Sequence, residues 1–161
     1  MAKHQLTIIL EDIRSALNVG AIFRTCEAVG ADKLELCGIT PYPPHNKIPK
    51  TALGAVEQVN WTYTKNTHEV VDNYAARGEL IAVEITDTAV DIYNYEFNQP
   101  CALIFGNEIS GVSDYALKKA VKVVKIPMFG LKESLNIATS VGITSYEVIR
   151  QWYYQNLKNH D

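Results

Sequence analysis

Three short stretches of the chain hold residue types that can handle a nucleoside or a phosphate. The first is NVGAIFRT, residues 18–25. Gly20 leaves room for a backbone or a ligand to come close. Arg24 follows four residues later on the same helical face. Its guanidinium is a planar fork of five donors that suits a phosphate. Alone, the motif would read as a surface arginine. The second stretch is FGNEISG, residues 105–111. Gly106 and Gly111 flank Asn107 and Glu108 directly after an apolar run. The G-x-G-x-x-G spacing of a dinucleotide loop is absent, and so is the lysine of a phosphate-binding P-loop. A glycine-rich turn at a strand end can still admit an adenosine. Glu108 is a poor neighbour for a pyrophosphate and an acceptable one for a cation. The third stretch is KIPMFGLKESLNIATS, residues 125–140. Pro127 has no N–H to give a strand ladder, and Gly130 permits a sharp bend. Ser134 and Asn136 stand where short polar side chains cap a helix. Ligands of open α/β sheets collect at such places, outside the carboxyl ends of strands. Taken singly, the stretch also reads as an ordinary strand–loop–helix connection.

The elements that must position these residues alternate along the chain. Residues 5–10 read as a buried strand, and 12–15 as a polar turn. Val19, Ile22, Phe23, Cys26 and Val29 recur at helical spacing, and Gly30 follows as a C-cap. Residues 33–37 form a second strand. Residues 38–50 hold four of the six prolines and read as an ordered, irregular loop. A short helix is expected at 51–57, a strand at 59–63, a helix at 67–77 capped by Asn66 or Thr67, and a strand at 80–84. Residues 91–97 are ambiguous. Residues 101–105 are a strongly apolar strand, Ser113 caps a helix to 120, and a strand at 121–126 precedes a long helix at about 136–157. This alternation predicts a mostly parallel sheet with helices on both faces. The long helix carries two apolar stripes. Ile137, Val141, Val148 and Trp152 make one, and Tyr146, Ile149 and Tyr153 the other. Ala138, Gly142 and Ser145 add a small-residue strip. Such a helix is buried on more than one side, so one face can cover its own sheet and the other can meet a second subunit. A single wide core face is the alternative.

The totals set bounds. The 161 residues suit one domain over 1–161, 47% hydrophobic and 20% charged. No apolar run reaches the roughly 20 residues that span a bilayer, and the N-terminus does not read as a signal peptide. Cys26, Cys37 and Cys101 are odd in number and widely spaced. They fit a reducing cytoplasm rather than a disulfide framework or a zinc site. A net charge of −3 counts against a protein that coats nucleic acid, though not against a local basic patch.

Together, the three stretches resemble the SpoU (TrmH-like) branch of the SPOUT methyltransferases. Asn18, Gly20 and Arg24 match the first family motif, N-x-G-x-x-x-R. Gly106, Glu108 and Gly111 match the second, G-x-E-x-x-G. Ile126, Pro127, Met128, Gly130, Ser134, Leu135 and Asn136 match the third. Ile137 and Ala138 depart from the family's common valine and second small polar residue. The resemblance covers nearly the whole chain.

The resemblance implies a C-terminal deep trefoil knot, which no periodicity could show. It implies S-adenosylmethionine as cofactor, held without a metal by loops 106–111 and 126–135. Main-chain groups near Gly106, Ile126, Met128, Ser134 and Leu135 would hold it, with Val83 and Glu84 added from topology. It implies methyl transfer to a ribose 2′-hydroxyl of RNA. Family proposals make the motif-one arginine, here Arg24, a general base. A guanidinium does not readily lose its proton, so a phosphate clamp is the better role. Asn18, Ser134 and Asn136 would orient the reacting groups, and Glu108 would fix the loop. The chain begins at its first strand, so it resembles the minimal tRNA enzymes of the family more than those for ribosomal RNA. RNA contacts would then come from Arg24 and from basic residues such as Arg14, Lys47, Lys50 and Lys132, with Lys118, Lys119 and Lys122 as further candidates. A homodimer through the long helix is expected, with the helix at 18–29 nearby. A non-catalytic RNA-binding scaffold and a small-molecule methyltransferase are the alternatives. The first would not need Arg24 and Glu108, and the second leaves Arg24 unexplained.

Overall fold

A computed structural model of the chain describes residues 4–159. Strands β1 (His4–Glu11), β2 (Ala31–Cys37), β3 (Trp61–Thr64), β4 (Leu80–Val83), β5 (Val90–Asp91), β6 (Cys101–Phe105) and β7 (Lys122–Lys125) form one sheet. Its order is β3-β2-β1-β6-β4-β7-β5, and every pairing is parallel. Helices α1 (Ala16–Val29), α2 (Pro49–Ala52), α3 (Thr67–Ala76), α4 (Asp114–Lys119) and α5 (Ile137–Lys158) cover it.

The pleat sorts the apolar residues onto two faces. On β1, Leu6, Ile8 and Leu10 join the core with α1 and α5, while Ile9 faces α3 and α4. On β6, Cys101, Leu103 and Phe105 point to the first side, and Ala102 and Ile104 to the second. A strand buried on both faces must be apolar throughout, which is why TIIL and CALIF stand out in the sequence. Ser15 caps α1 by accepting the Asn18 N–H at 3.2 Å. Gly30 ends that helix at φ +65°, its N–H returned to the carbonyls of Cys26 and Glu27.

Several boundaries differ from expectation. The strand before Pro127 stops at Lys125, the last residue paired with β5, and Pro127 has no N–H with which to carry the ladder on. Residues 51–57 split into α2 and a 3-10 turn at Ala55–Glu57. The ambiguous 91–97 region becomes the end of β5 and a 3-10 turn at Ile92–Asn94. Tyr95 and Phe97, just beyond that turn, are tied to α5. Gln151 accepts the Phe97 N–H and donates to Tyr95 O, and Trp152 Nε1 donates to Phe97 O at 2.8 Å.

Helix α5 buries Val141, Thr144, Ser145, Glu147, Val148 and Trp152 within its own chain. Ser145 therefore belongs to the core and not to an outward small-residue strip. Tyr146 and Tyr153 are more than half exposed, whereas Ile149 packs on the core, so the second stripe is divided. Strand β7 lies between the earlier strands β4 and β5, and the chain then returns through α5 to pack on α1. Among the described residues, no helix is long and apolar enough to cross a membrane.

Candidate functional site

A cleft of about 470 Å³ opens at the carboxyl ends of β4, β6 and β7. This is where a parallel sheet presents loops and helix N-termini together. Val83, Glu84 and Ile85 form one wall, and Phe105, Gly106 and Glu108 another. Ile126, Met128, Ser134, Leu135 and Asn136 close it from the third side, with Asn18 reaching in from α1.

Carboxylates hold the walls. Both oxygens of Glu108 accept the Arg14 N–H, at 3.1 and 2.9 Å, and one also accepts the Ser15 N–H at 3.2 Å. Glu84 accepts the N–H groups of Ile85 and Val112, each at 2.9 Å. Buried Glu11 takes the N–H and the hydroxyl of Ser113. Each of these carboxylates accepts backbone N–H groups and so helps hold the loops around the cleft in place. Asn107 completes the turn. Its oxygen accepts the Ile109 and Ser110 N–H groups, and its amide nitrogen donates to Asp12 O at 2.7 Å. The turn is tight: a Cβ on Gly106 would run into the backbone of Gly111 and Val112, and Gly111 sits at φ +74°.

Asn136 is the N-cap of α5. Its oxygen accepts the Ala138 and Thr139 N–H groups, and its amide nitrogen donates to Asn18 Oδ1 at 3.2 Å. That bond ties the starts of α1 and α5 across the cleft. It also leaves the Asn18 amide nitrogen as a donor for a ligand. Ser134 lies two residues before the cap and makes no capping bond, contrary to the sequence expectation, so its hydroxyl is exposed at the cleft. Gly130 needs no special conformation either, since its φ is ordinary and a Cβ there would meet nothing.

Gly20 is a close-approach glycine, but what approaches is the chain itself. A Cβ there would meet Thr51 Oγ1 and Ile48 O at the start of α2. Arg24 is exposed and does not line the cleft. Six residues turn an α-helix about 240° beyond a full circle, so Arg24 does not share the face of Asn18, nor does it lie one turn from it. Arg14, Lys47, Lys50 and Lys132 are exposed and also outside the cleft lining, as is Lys118. Lys119 is 3.6 Å from Asp72 and is partly neutralised there.

Sequence reasoning gave no site role to Ile85, Lys125, Ile137 and Ser140, and none to Asn107 beyond its place in the 106–111 loop, yet all of them line the cleft. Lys125 and Ile85 sit at strand carboxyl ends, so sheet topology could have found them. Asn107 sits between the two matched glycines, where an Asx side chain is a ready turn former. Among the described residues, no group of three His, Cys, Asp or Glu side chains is placed to hold a metal ion.

Residues 5–146 match the model of the SpoU rRNA methylase family. A tRNA (guanosine(18)-2′-O)-methyltransferase of Thermus thermophilus is 33% identical over 147 residues, 91% of this chain and 75% of that protein. The SpoU methyltransferase AviRb of Streptomyces viridochromogenes, solved with AdoMet, superposes with a TM-score of 0.86 at 26% identity, over 96% of this chain and 63% of that one. A structure described as giving insight into 2-OH methylation of C/U34 on tRNA superposes with a TM-score of 0.85 at 25% identity, over 94% of this chain and 98% of that one. The chain spans about two thirds of the length of the curated relatives it matches, 66% in one case. On the family match, the fold and the three intact motifs, this chain belongs to the SpoU methylase family.

Proposed function

We propose that this chain transfers a methyl group from S-adenosylmethionine to a ribose 2′-hydroxyl of RNA, with tRNA as the substrate class. The observation that carries the reading is the wall at 126–136. Between Pro127 and Leu135 the backbone makes no hydrogen bond to other backbone among the described residues, yet Met128 and Leu135 line the cleft. Such main-chain groups are free to recognise an adenine. The cleft's size, its mixed lining and its lack of a phosphate cradle fit a nucleoside cofactor better than a dinucleotide. S-adenosylmethionine supplies a methyl group already activated on a sulfonium. Gly106, Ile126, Met128 and Leu135 would hold it by main-chain groups, with Val83 and Glu84 at the opposite wall.

The protein must then align the hydroxyl and manage one proton. Asn18 and Asn136, locked to each other, present a fixed amide donor at the cleft. The exposed Ser134 hydroxyl offers a second group for orientation. Glu108 keeps the loop in shape through its bonds to α1 and does not act on the proton. Arg24 binds an RNA phosphate and steadies a developing alkoxide, and the proton leaves to phosphate or water.

The tRNA class is favoured by relatives named for tRNA methylation, one of them of nearly the same length as this chain. Others are named as rRNA methyltransferases, which makes ribosomal RNA the second reading. The working unit is proposed to be a homodimer through α1 and α5. Tyr146, Tyr153 and Tyr154 are exposed on α5, and Phe129 and Leu131 are almost fully exposed beside the cleft. The path of the chain from β7, between β4 and β5, back to α5 is compatible with the trefoil knot of the family. Incubation with labelled S-adenosylmethionine and tRNA, ribosomal RNA or no RNA tests the whole reading. Label on a tRNA 2′-oxygen is the expected result. Label on ribosomal RNA alone would transfer the assignment to the second reading, and cofactor binding with no transfer to either RNA would leave a scaffold or a small-molecule methyltransferase.

A further inference from the structure

A second groove lies beside the cofactor cleft, at the carboxyl ends of β2 and β3. We propose that it is a nucleobase subsite, taking one unpaired base of the RNA near the target ribose, stacked on Tyr42. The inference rests on the RNA-methylation reading above.

The groove is lined by the 38–45 segment of the proline-rich loop and by Tyr63 and Lys65 at the end of β3. Tyr42 and Tyr63 stack with ring centroids 3.9 Å apart and planes 23° from parallel. The Tyr63 hydroxyl donates to Gly38 O at 2.6 Å, which fixes the lower ring. Tyr42 keeps 43% of its surface exposed while stacked on Tyr63. An aromatic ring already stacked from below is a rigid platform for a base.

The charges suit a nucleic-acid strand. Lys65 lines the groove, Lys47 is exposed on the same loop, and neither forms an ion pair among the described residues. His45 Nδ1 accepts the Lys47 N–H at 3.2 Å, which leaves Nε2 as the donor nitrogen. Asp12 is the single acid in the lining, and its carboxylate already accepts the Ile39 N–H at 2.9 Å. In a chain of net charge −3, one unpaired lysine in the lining and a second on the proline-rich loop offset the single carboxylate and give a passing phosphate two cations to meet.

The groove also adjoins the cofactor cleft. Strand β1 lies between β2 and β6, and Asp12 follows it directly. The Asp12 carbonyl accepts from Asn107 on the cleft side, and its carboxylate holds Ile39 on the groove side. One residue thus separates the two openings. A strand with its ribose in the first can lay a neighbouring base in the second.

The test uses the full chain with a tRNA substrate found by the labelling experiment, and compares Tyr42→Leu, Tyr42→Phe and Lys65→Gln. Base–aromatic stacking removed by substitution corresponds to roughly a 5- to 150-fold loss. Tyr42→Leu is expected to raise KM for RNA within that range, with kcat at saturating RNA and cofactor affinity without RNA near wild type. Tyr42→Phe keeps the platform and is expected to restore KM. Lys65→Gln should weaken RNA binding and flatten its dependence on salt. Wild-type KM in Tyr42→Leu would overturn the subsite while leaving the methyltransferase reading intact. So would a Tyr42→Leu effect on cofactor affinity, or competition at the groove by a proline-rich peptide but not by RNA. If the wild type methylates no RNA, the failure lies in the underlying reading, and the subsite falls with it.

Discussion

Arg24 is the residue whose role is most open to direct test. Arg24→Ala is expected to fold and bind cofactor as wild type does, since the side chain is exposed and outside the cleft lining, but to lose nearly all methyl transfer. Arg24→Lys separates two mechanisms. It keeps a positive charge and removes the planar fork. If the fork positions a phosphate, lysine rescues little, because a small misplacement costs about 100-fold. If the side chain is a base, lysine activity should climb with pH toward that of wild type, because an ammonium deprotonates far more readily than a guanidinium. The measurement is a single-turnover pH–rate profile, and a flat, low profile is expected. The cysteines give a second expectation. Burial pushes the thiols of Cys26, Cys37 and Cys101 up to about 12 from an ordinary 9.0, helped at Cys37 by the nearby charge of Glu35. The neutral thiol is therefore the folded-state form. Above pH 9 the unfolded chain gives up these protons first, so stability should fall as pH rises from about 9 toward 12. In native protein at pH 8 a thiol reagent should modify none of the three, and modification should appear only on unfolding.

At the scale of the element, two helix glycines make opposite predictions. Gly20 on α1 is buried against α2, and a Cβ there meets Thr51 and the Ile48 carbonyl. Gly20→Ala is expected to cost roughly 1–3 kcal/mol in a denaturant melt, as overpacking does. Gly142 on α5 has nothing within reach of a Cβ in its own chain. In an isolated chain, Gly142→Ala should add about 1 kcal/mol of stability through helix propensity. If α5 packs on its twin, the added methyl instead weakens association, by roughly tenfold where it costs about 1.4 kcal/mol. Sedimentation across a dilution series distinguishes the two. These elements also show how far sequence carries. The apolar runs of β1 and β6 and the caps Gly30 and Asn136 announce themselves, because each follows from local chemistry, whereas Ser15 reads from sequence only as part of a polar turn. The fates of Gly20 and Ser145 do not. Whether a small residue faces a neighbour, a ligand or a second subunit depends on chain segments far away, and here α2 meets Gly20 while the chain's own core takes in Ser145.

At the scale of the whole molecule, the sheet order and the separation of Arg24 from the cleft were not legible. Alternation of strands and helices gives parallel pairing but leaves the order open. Within one chain, α1 brings Asn18 to the cleft and turns Arg24 elsewhere. In the proposed homodimer, Arg24 of one copy can serve the cleft of the other. Mixing Arg24→Ala with Asn18→Ala tests this. Each variant alone should be inactive, whereas a mixed dimer would hold one cleft with both residues intact. Random exchange of subunits should then restore about a quarter of wild-type activity. No recovery, with exchange confirmed by mass, would place Arg24 in its own chain's cleft, and a monomer by light scattering at micromolar concentration would dismiss the dimer itself.

The bond between Asn136 and Asn18 joins residues 118 positions apart. At ribosomal speeds of about 5–20 residues per second, roughly 6–24 s separate their synthesis. During that interval β1, α1 and most of the sheet can exist while the third wall of the cleft does not. Cofactor cannot template the early steps of folding, because the third wall of its pocket, at 126–140, is made only after strand β7. Its stabilising effect arrives only once α5 has docked, and a nascent chain stalled before residue 136 should bind no cofactor, however well folded its first hundred residues are.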